Sequence, residues 1–128
     1  DDFRQFTPVI TSKYIPSLTK EEMINSYDNT ILYLDFFLNQ VIERAEKNGV
    51  PTVVFYISDH GESLGENGQY LHAGSAEEQT NPAMLLWLSA SFKQRHKDLT
   101  LKISEARNRT LTTDIVYEYL SGILMIEE

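Results

Sequence analysis

Residues 52–58 read Thr-Val-Val-Phe-Tyr-Ile-Ser, an apolar run without polar alternation. A strand with one face in water alternates apolar and polar side chains, so this run demands cover on both faces, as in a central strand of a parallel sheet. Residues 82–89, Pro-Ala-Met-Leu-Leu-Trp-Leu-Ser, have the same character, and Trp87 with its apolar neighbours reads as core, although the leucines also suit a helix.

What flanks the two runs sets the fold class. Thr19-Lys20-Glu21-Glu22 has the form of a capping box, in which the threonine oxygen satisfies an orphan helix N–H and Glu22 reaches back. Met23, Ile24, Tyr27, Ile31, Leu34, Leu38, Val41, Ile42 and Ala45 then recur at three- and four-residue steps, which predicts one long helix closing at Asn48-Gly49 ahead of Pro51. Pro8 and Pro16 keep residues 1–18 out of a helix and predict an extended surface segment. The charged stretch from Ser91 to Arg109 predicts at most a short helix in mobile chain, with His96 among Lys93, Arg95 and Lys97 on a solvated face. The Asn108-Arg109-Thr110 sequon reads as incidental. A last helix starting near Thr112 or Thr113 turns Ile115, Val116, Tyr119, Leu120, Ile123 and Leu124 inward. Helix, strand, loop, strand, helix is an α/β order. Two strands do not make a stable sheet alone, so further strands are expected in chain outside residues 1–128, and the opening Asp-Asp-Phe-Arg reads as mid-protein sequence.

Charge narrows the partners. The formal net charge is −8 with no basic stripe, which repels a phosphate backbone and excludes nucleic acid as a partner. Anionic phosphate esters stay accessible to such a chain when a bound cation inverts the local charge. There is no cysteine, hence no disulfide and no thiolate metal site. No apolar run approaches the roughly 18 residues that span a bilayer.

The first apolar run ends in Ser58-Asp59-His60-Gly61, at the carboxyl end of a strand, where α/β sheets gather ligands. Gly61 permits a sharp turn that lets the Asp59 and His60 side chains face one point. A carboxylate oxygen and an imidazole nitrogen suit zinc and are acceptable to manganese, and His72 is a third candidate ligand once the loop folds back. An aspartate–histidine pair after a strand also has a plain reading as turn chemistry, so spacing alone leaves a metal site and a turn both open.

The stretch "YISDHGESLGENGQYLHA" closely resembles the metal-binding segment of the lipid A phosphoethanolamine transferases of the alkaline phosphatase and sulfatase superfamily. "FTPVI", "INSYDNTILYLD", "EEQTNPAMLLWLS" and "LTTDIVYEYLSGILMI" resemble further blocks of that family, in family order and over nearly the whole chain. The resemblance implies part of an alkaline-phosphatase-like or sulfatase-like sandwich, with helices on a mostly parallel sheet, and makes residues 1–128 the C-terminal portion of the catalytic domain. It implies Asp59 and His60 as ligands of a zinc ion (manganese being the alternative), and His72 as a catalytic group near a second zinc or the substrate phosphate, orienting the donor or assisting proton transfer to the leaving group. Glu62 and Glu66 match motif positions without an assigned role, and solvated carboxylates capping a turn describe them equally well. Asn25, Asp28 and Asn29 match a helix block and read as structural, hydrogen-bonding at the helix surface beneath the site. Relatives carry a cysteine pair where this chain has Ile10 and Leu18, which implies apolar contact in place of a disulfide.

By the same resemblance, the whole protein transfers phosphoethanolamine from phosphatidylethanolamine to an envelope glycolipid such as lipid A. The nucleophile is a threonine upstream of residue 1, with a membrane region at the amino-terminal end and the soluble domain facing the periplasm from the bacterial inner membrane. Residues 1–128 alone are then expected to be inactive. The rival readings are a sulfatase or other phosphohydrolase of the same superfamily, a glycerol-phosphate transferase, and a non-catalytic excised piece.

Overall fold

The structure, a computed structural model, describes residues 2–11, 14, 17–72, 74–107 and 109–124. Pro16 and Asn108, singled out above, lie outside the described residues, as do the side chains of Ile123 and Leu124.

Helix α1 spans Lys20–Lys47 and is about 42 Å long at ~1.5 Å per residue. The capping box forms as expected. Thr19 Oγ1 accepts from Glu22 N at 3.1 Å, and the Glu22 carboxylate accepts from both Thr19 N and Thr19 Oγ1 at 2.9 Å. At the other end Asn48 caps, and Gly49 takes a φ of 66°, the left-handed conformation that glycine adopts without a Cβ penalty. The expected inward stripe is largely observed: Met23 is buried and Ile24, Tyr27, Leu34, Leu38, Val41, Ile42 and Ala45 are half-buried. Ile31 is the exception and faces solvent.

Those two hydrogen bonds from Thr19 hold the Glu22 carboxyl below its ordinary range, the backbone bond being the larger cause. A carboxyl whose folded value is lowered contributes stability above its unfolded value and loses it as pH falls through the folded one. Acidification below about pH 4.3 is therefore expected to lower the unfolding midpoint, and Glu22→Gln to flatten part of that dependence. Glu66 and Asp114, which are lowered in the same direction, contribute further slope of the same sign. Parallel pH profiles for wild type and Glu22→Gln would remove the capping box from the account.

The chain before α1 is extended, as expected, and is tied to the helix through its main chain. Asn29, itself buried, accepts from Phe6 N at 3.1 Å and donates to Phe6 O at 2.9 Å. Asn25 donates to Pro8 O at 3.0 Å, and Ser26 Oγ accepts from Ile10 N at 2.8 Å. Asn25 and Asn29 thus serve a structural role, but their bonds go to this amino-terminal segment and not to the loop at residues 59–72; Asp28 lies half-buried between them. Of the two positions where relatives carry cysteines, Ile10 is exposed and Leu18 is half-buried.

The two apolar runs form strands β1, Val53–Ile57, and β4, Met84–Leu88. Between them lie β2, Ser63–Leu64, a 3₁₀ turn at Glu66–Gly68, β3, Tyr70–Leu71, and the short helix α2, Glu77–Thr80. β1 and β4 pair antiparallel, from Val53 opposite Leu88 to Ile57 opposite Met84, and β2 pairs antiparallel with β3. The parallel pairing expected for the two runs is thus not what joins them. A parallel return needs a crossover, usually a full helix, whereas α2 is one turn long and the chain doubles back. Cover is also less complete than an unalternating run implies. All of β1 is half-buried, Trp87 is half-buried, and Met84 and Leu85 are 42% and 37% exposed.

Past β4 the charged stretch is more ordered than its composition predicts, forming α3, Ala90–Arg95, and α4, Lys97–Ala106. Ser89 caps α3, accepting from Phe92 N at 3.1 Å, and the same hydroxyl accepts from Thr52 N at 2.9 Å, locking the helix to the end of the sheet. His96 does not sit on a solvated face. It is the break between α3 and α4, with φ −121° and ψ 57°, and its ring stacks 4.7 Å from Phe92. Helix α5, Ile115–Leu124, follows a turn at Thr113–Asp114 and turns Ile115, Val116 and Tyr119 partly inward, while Leu120 is exposed. Buried apolar residues among those described are Met23, Leu88 and Phe92.

Candidate metal centre

The functional loop leaves β1 at Ser58, whose N–H donates to Ala83 O at 3.0 Å, so its base is pinned to the return strand. Its shape is set from the far side by Gln79 of α2. The buried Gln79 side chain donates to Ser63 Oγ at 2.7 Å and accepts from Gly74 N at 2.7 Å, and the main-chain carbonyl of Gln79 accepts from Gly61 N at 2.8 Å. Ser63 is wholly buried. Unpaired, these groups would each cost about 1–3 kcal/mol, so the glutamine is what allows a polar loop to fold inward.

Gly61 proves necessary for a different reason from the one expected. Its φ is not left-handed; a Cβ there would come 1.9 Å from Glu78 O. Close approach of α2, and not turn conformation, demands glycine.

This packing brings His60, Glu62 and His72 together, with one donor atom from each within 4.8 Å of the others. The two imidazoles stack, centroids 4.1 Å apart and planes inclined by 31°. His72 Nδ1 lies 2.7 Å from Glu62 Oε1, and His60 Nδ1 lies 2.9 Å from Gly61 O. Asp59 stands at the rim with its side chain 88% exposed, Oδ2 3.7 Å from His60 Nε2 and Oδ1 accepting from His60 N at 3.1 Å. All three residues singled out in the sequence therefore meet in one loop, but the tight cluster takes in Glu62 and leaves Asp59 beside it. Glu62 had only a motif position to recommend it. The signal that fixes it is spatial: Leu71, at φ 63°, turns the chain so that His72 comes back over residue 62.

Glu66 has the plainer role. Its Oε2 accepts from Leu64 N at 2.6 Å, closing a turn beside the first turn of α1. Bonds from its own N–H and from Leu64 N, with Lys20 nearby, hold its carboxyl below the ordinary range.

The donor set fits a divalent cation. Two imidazoles stack with the Asp59 carboxylate at their rim, the Glu62 carboxylate bonds one of them, and Glu62 Oε2 is buried without a hydrogen-bond partner among the described residues. A bare buried carboxylate oxygen is costly unless positive charge or a donor comes near. Nitrogen and oxygen ligands of this kind suit zinc and, less closely, manganese.

Comparison with known proteins places this loop in a family. The family model described as Sulfatase matches residues 1–121. Phosphoethanolamine transferase EptA of Escherichia coli (strain K12) is 36% identical over 132 residues, taking in 98% of this chain and 24% of its own length. The soluble domain of lipooligosaccharide phosphoethanolamine transferase A from Neisseria meningitidis superposes with a TM-score of 0.86 at 36% identity, over 97% of this chain and 39% of that one. The integral membrane protein EptA from the same organism gives 0.85 at 36%, over 96% of this chain and 24% of its own. The chain thus spans about a quarter of the curated relative it matches. The antiparallel β1–β4 pair is accommodated within that likeness, since mixed sheets are common in α/β folds. The chain belongs to the sulfatase family, and within it is similar in sequence and structure to the phosphoethanolamine transferases.

Proposed function

We propose that residues 1–128 are the C-terminal part of the catalytic domain of a zinc-dependent phosphoethanolamine transferase, which moves phosphoethanolamine from phosphatidylethanolamine to an envelope glycolipid such as lipid A. The observation that carries this reading is the loop after β1, which gathers His60, Glu62 and His72 with Asp59 at its rim. The named relatives, each 36% identical, are phosphoethanolamine transferases, which favours transfer over the hydrolysis that the wider family name denotes.

Asp59 and His60 would hold the zinc. Bound there, zinc supplies positive charge that offsets the phosphate oxygens and eases ionisation of an attacking hydroxyl. That hydroxyl belongs, by resemblance, to a threonine upstream of residue 1. The exposed His72 imidazole can orient the donor phosphate or hand a proton to the leaving group. Both substrates being lipids, the protein works at a membrane. Among the described residues no helix is long and apolar enough to cross one; the amino-terminal membrane region is what the resemblance implies. One of the similar structures is of an integral membrane protein, which supports a membrane-anchored whole protein; a soluble domain facing the periplasm from the inner membrane is the placement the resemblance implies.

Calorimetric titration of zinc into the metal-stripped full-length protein tests the reading. Wild type is expected to bind, and His60→Ala to bind at least roughly tenfold more weakly. Superimposable isotherms would remove His60 from the metal site.

A further inference from the structure

The imidazoles of the loop offer distinguishable edges. Gly61 O can only accept, so His60 donates to it from Nδ1 and keeps its lone pair on Nε2. Asp59 Oδ2 lies toward that lone-pair nitrogen, 3.7 Å from His60 Nε2. Glu62 lies at the other nitrogen: its Oε1 is 4.0 Å from His60 Nδ1 and 2.7 Å from His72 Nδ1. An ionised carboxylate accepts only, so the neutral His72 ring too carries its hydrogen on Nδ1 and leaves Nε2 bare. A group that receives a ring's N–H is not placed to share the metal bound to that ring's opposite nitrogen.

We propose that Glu62 is a positioning residue, not a ligand: it fixes His72 as the tautomer with a free Nε2 and holds that ring in its stack on His60. This rests on the zinc reading above. His72 needs such a partner. Its side chain is 54% exposed and it follows a residue of positive φ, so local packing restrains the ring little. Free imidazole prefers its hydrogen on Nε2, the nitrogen a metal would need bare; the hydrogen bond to Glu62 reverses that preference. The position of Glu62 also argues against a loosely solvated loop carboxylate, for its side chain is only 23% exposed and Oε2 is buried. Metal-binding histidines commonly donate their second N–H to a carboxylate in this way, which sets both tautomer and ring orientation.

Two readouts on the full-length protein test the assignment. In metal-free, ¹⁵N-histidine-labelled protein, long-range proton–nitrogen correlation reads the His72 tautomer directly. Wild type is expected to show hydrogen on Nδ1, Glu62→Gln to keep it because the amide oxygen still accepts, and Glu62→Ala to shift it to Nε2. Zinc titration of the same proteins is expected to show Gln within roughly threefold of wild type and Ala weaker by about 10–100-fold. Equal losses in Gln and Ala would make Glu62 a ligand and overturn the proposal, as would an alanine variant with unchanged tautomer. A wild type that binds no zinc would instead defeat the metal reading, while the tautomer comparison would still decide the role of Glu62.

Discussion

Asp59→Ala in the full-length protein will cut the proposed phosphoethanolamine transfer by about a thousandfold or more, several kcal/mol of barrier, while leaving the fold intact. The two halves of that expectation come from one geometry. The Asp59 side chain is 88% exposed, and the bond it makes is to the adjacent His60 N, so its removal leaves no buried group unpaired. Exposed positions of this kind shift stability by about 0.5 kcal/mol or less. Its carboxylate nevertheless stands 3.7 Å from His60 Nε2, the edge offered to a cation. Asp59→Asn sharpens the test, since the amide oxygen preserves the contact with His60 N and removes the charge. Both variants are expected to melt with wild type and to fail in transfer from phosphatidylethanolamine to lipid A. Retained turnover in either would withdraw Asp59 from the ligand set and with it the proposed use of the loop.

Gly61→Ala will act through the opposite route, by breaking the loop. A Cβ at 1.9 Å from Glu78 O cannot be accommodated by a side-chain rotation, because the obstructing atom is main chain. α2 must withdraw, the 2.8 Å bond from Gly61 N to Gln79 O is lost, and the buried Gln79–Ser63 pair is pulled with it. Overpacking together with a lost buried hydrogen bond is expected to cost roughly 2–4 kcal/mol in chemical denaturation, with zinc binding lost in parallel. Gly122→Ala supplies the control. It lies in α5 with nothing within 4 Å of its Cβ position and no left-handed φ, so alanine there should be neutral or gain about 0.5–1 kcal/mol. Equal stability of the two variants would show that α2 does not press on the loop.

Several elements were legible because their signals are local. Thr19 and Glu22 sit three residues apart and state the start of α1 between them; Asn48-Gly49 states its end. The strand runs were legible by composition, but their mutual direction was not. An apolar run reads alike either way round, and the direction is decided by what the connection contains, here a single turn of helix where a parallel return would need several. The order in residues 90–106 was hidden because few apolar residues mark the two helices. Ser89, three residues before Phe92, was the available sign, and its strength came from Thr52, far away in sequence. The same holds at the site. Asp59, His60 and His72 could be named from residue type and place, whereas Glu62 needed the fold of nine intervening residues to reach His72. Gly61 was recognised with the wrong cause, since only the structure shows Glu78 O against it.

The excursion that holds Asp59, His60, Glu62 and His72 departs and comes home on the same rung, Ile57 facing Met84, with Ser58 N bonded to Ala83 O. Its far side is tied through Gln79, and its β2 end rests against α1 beside Lys20. A site built this way needs both supports: the paired strand ends fix where it leaves and returns, and the long helix sets how it leans between them.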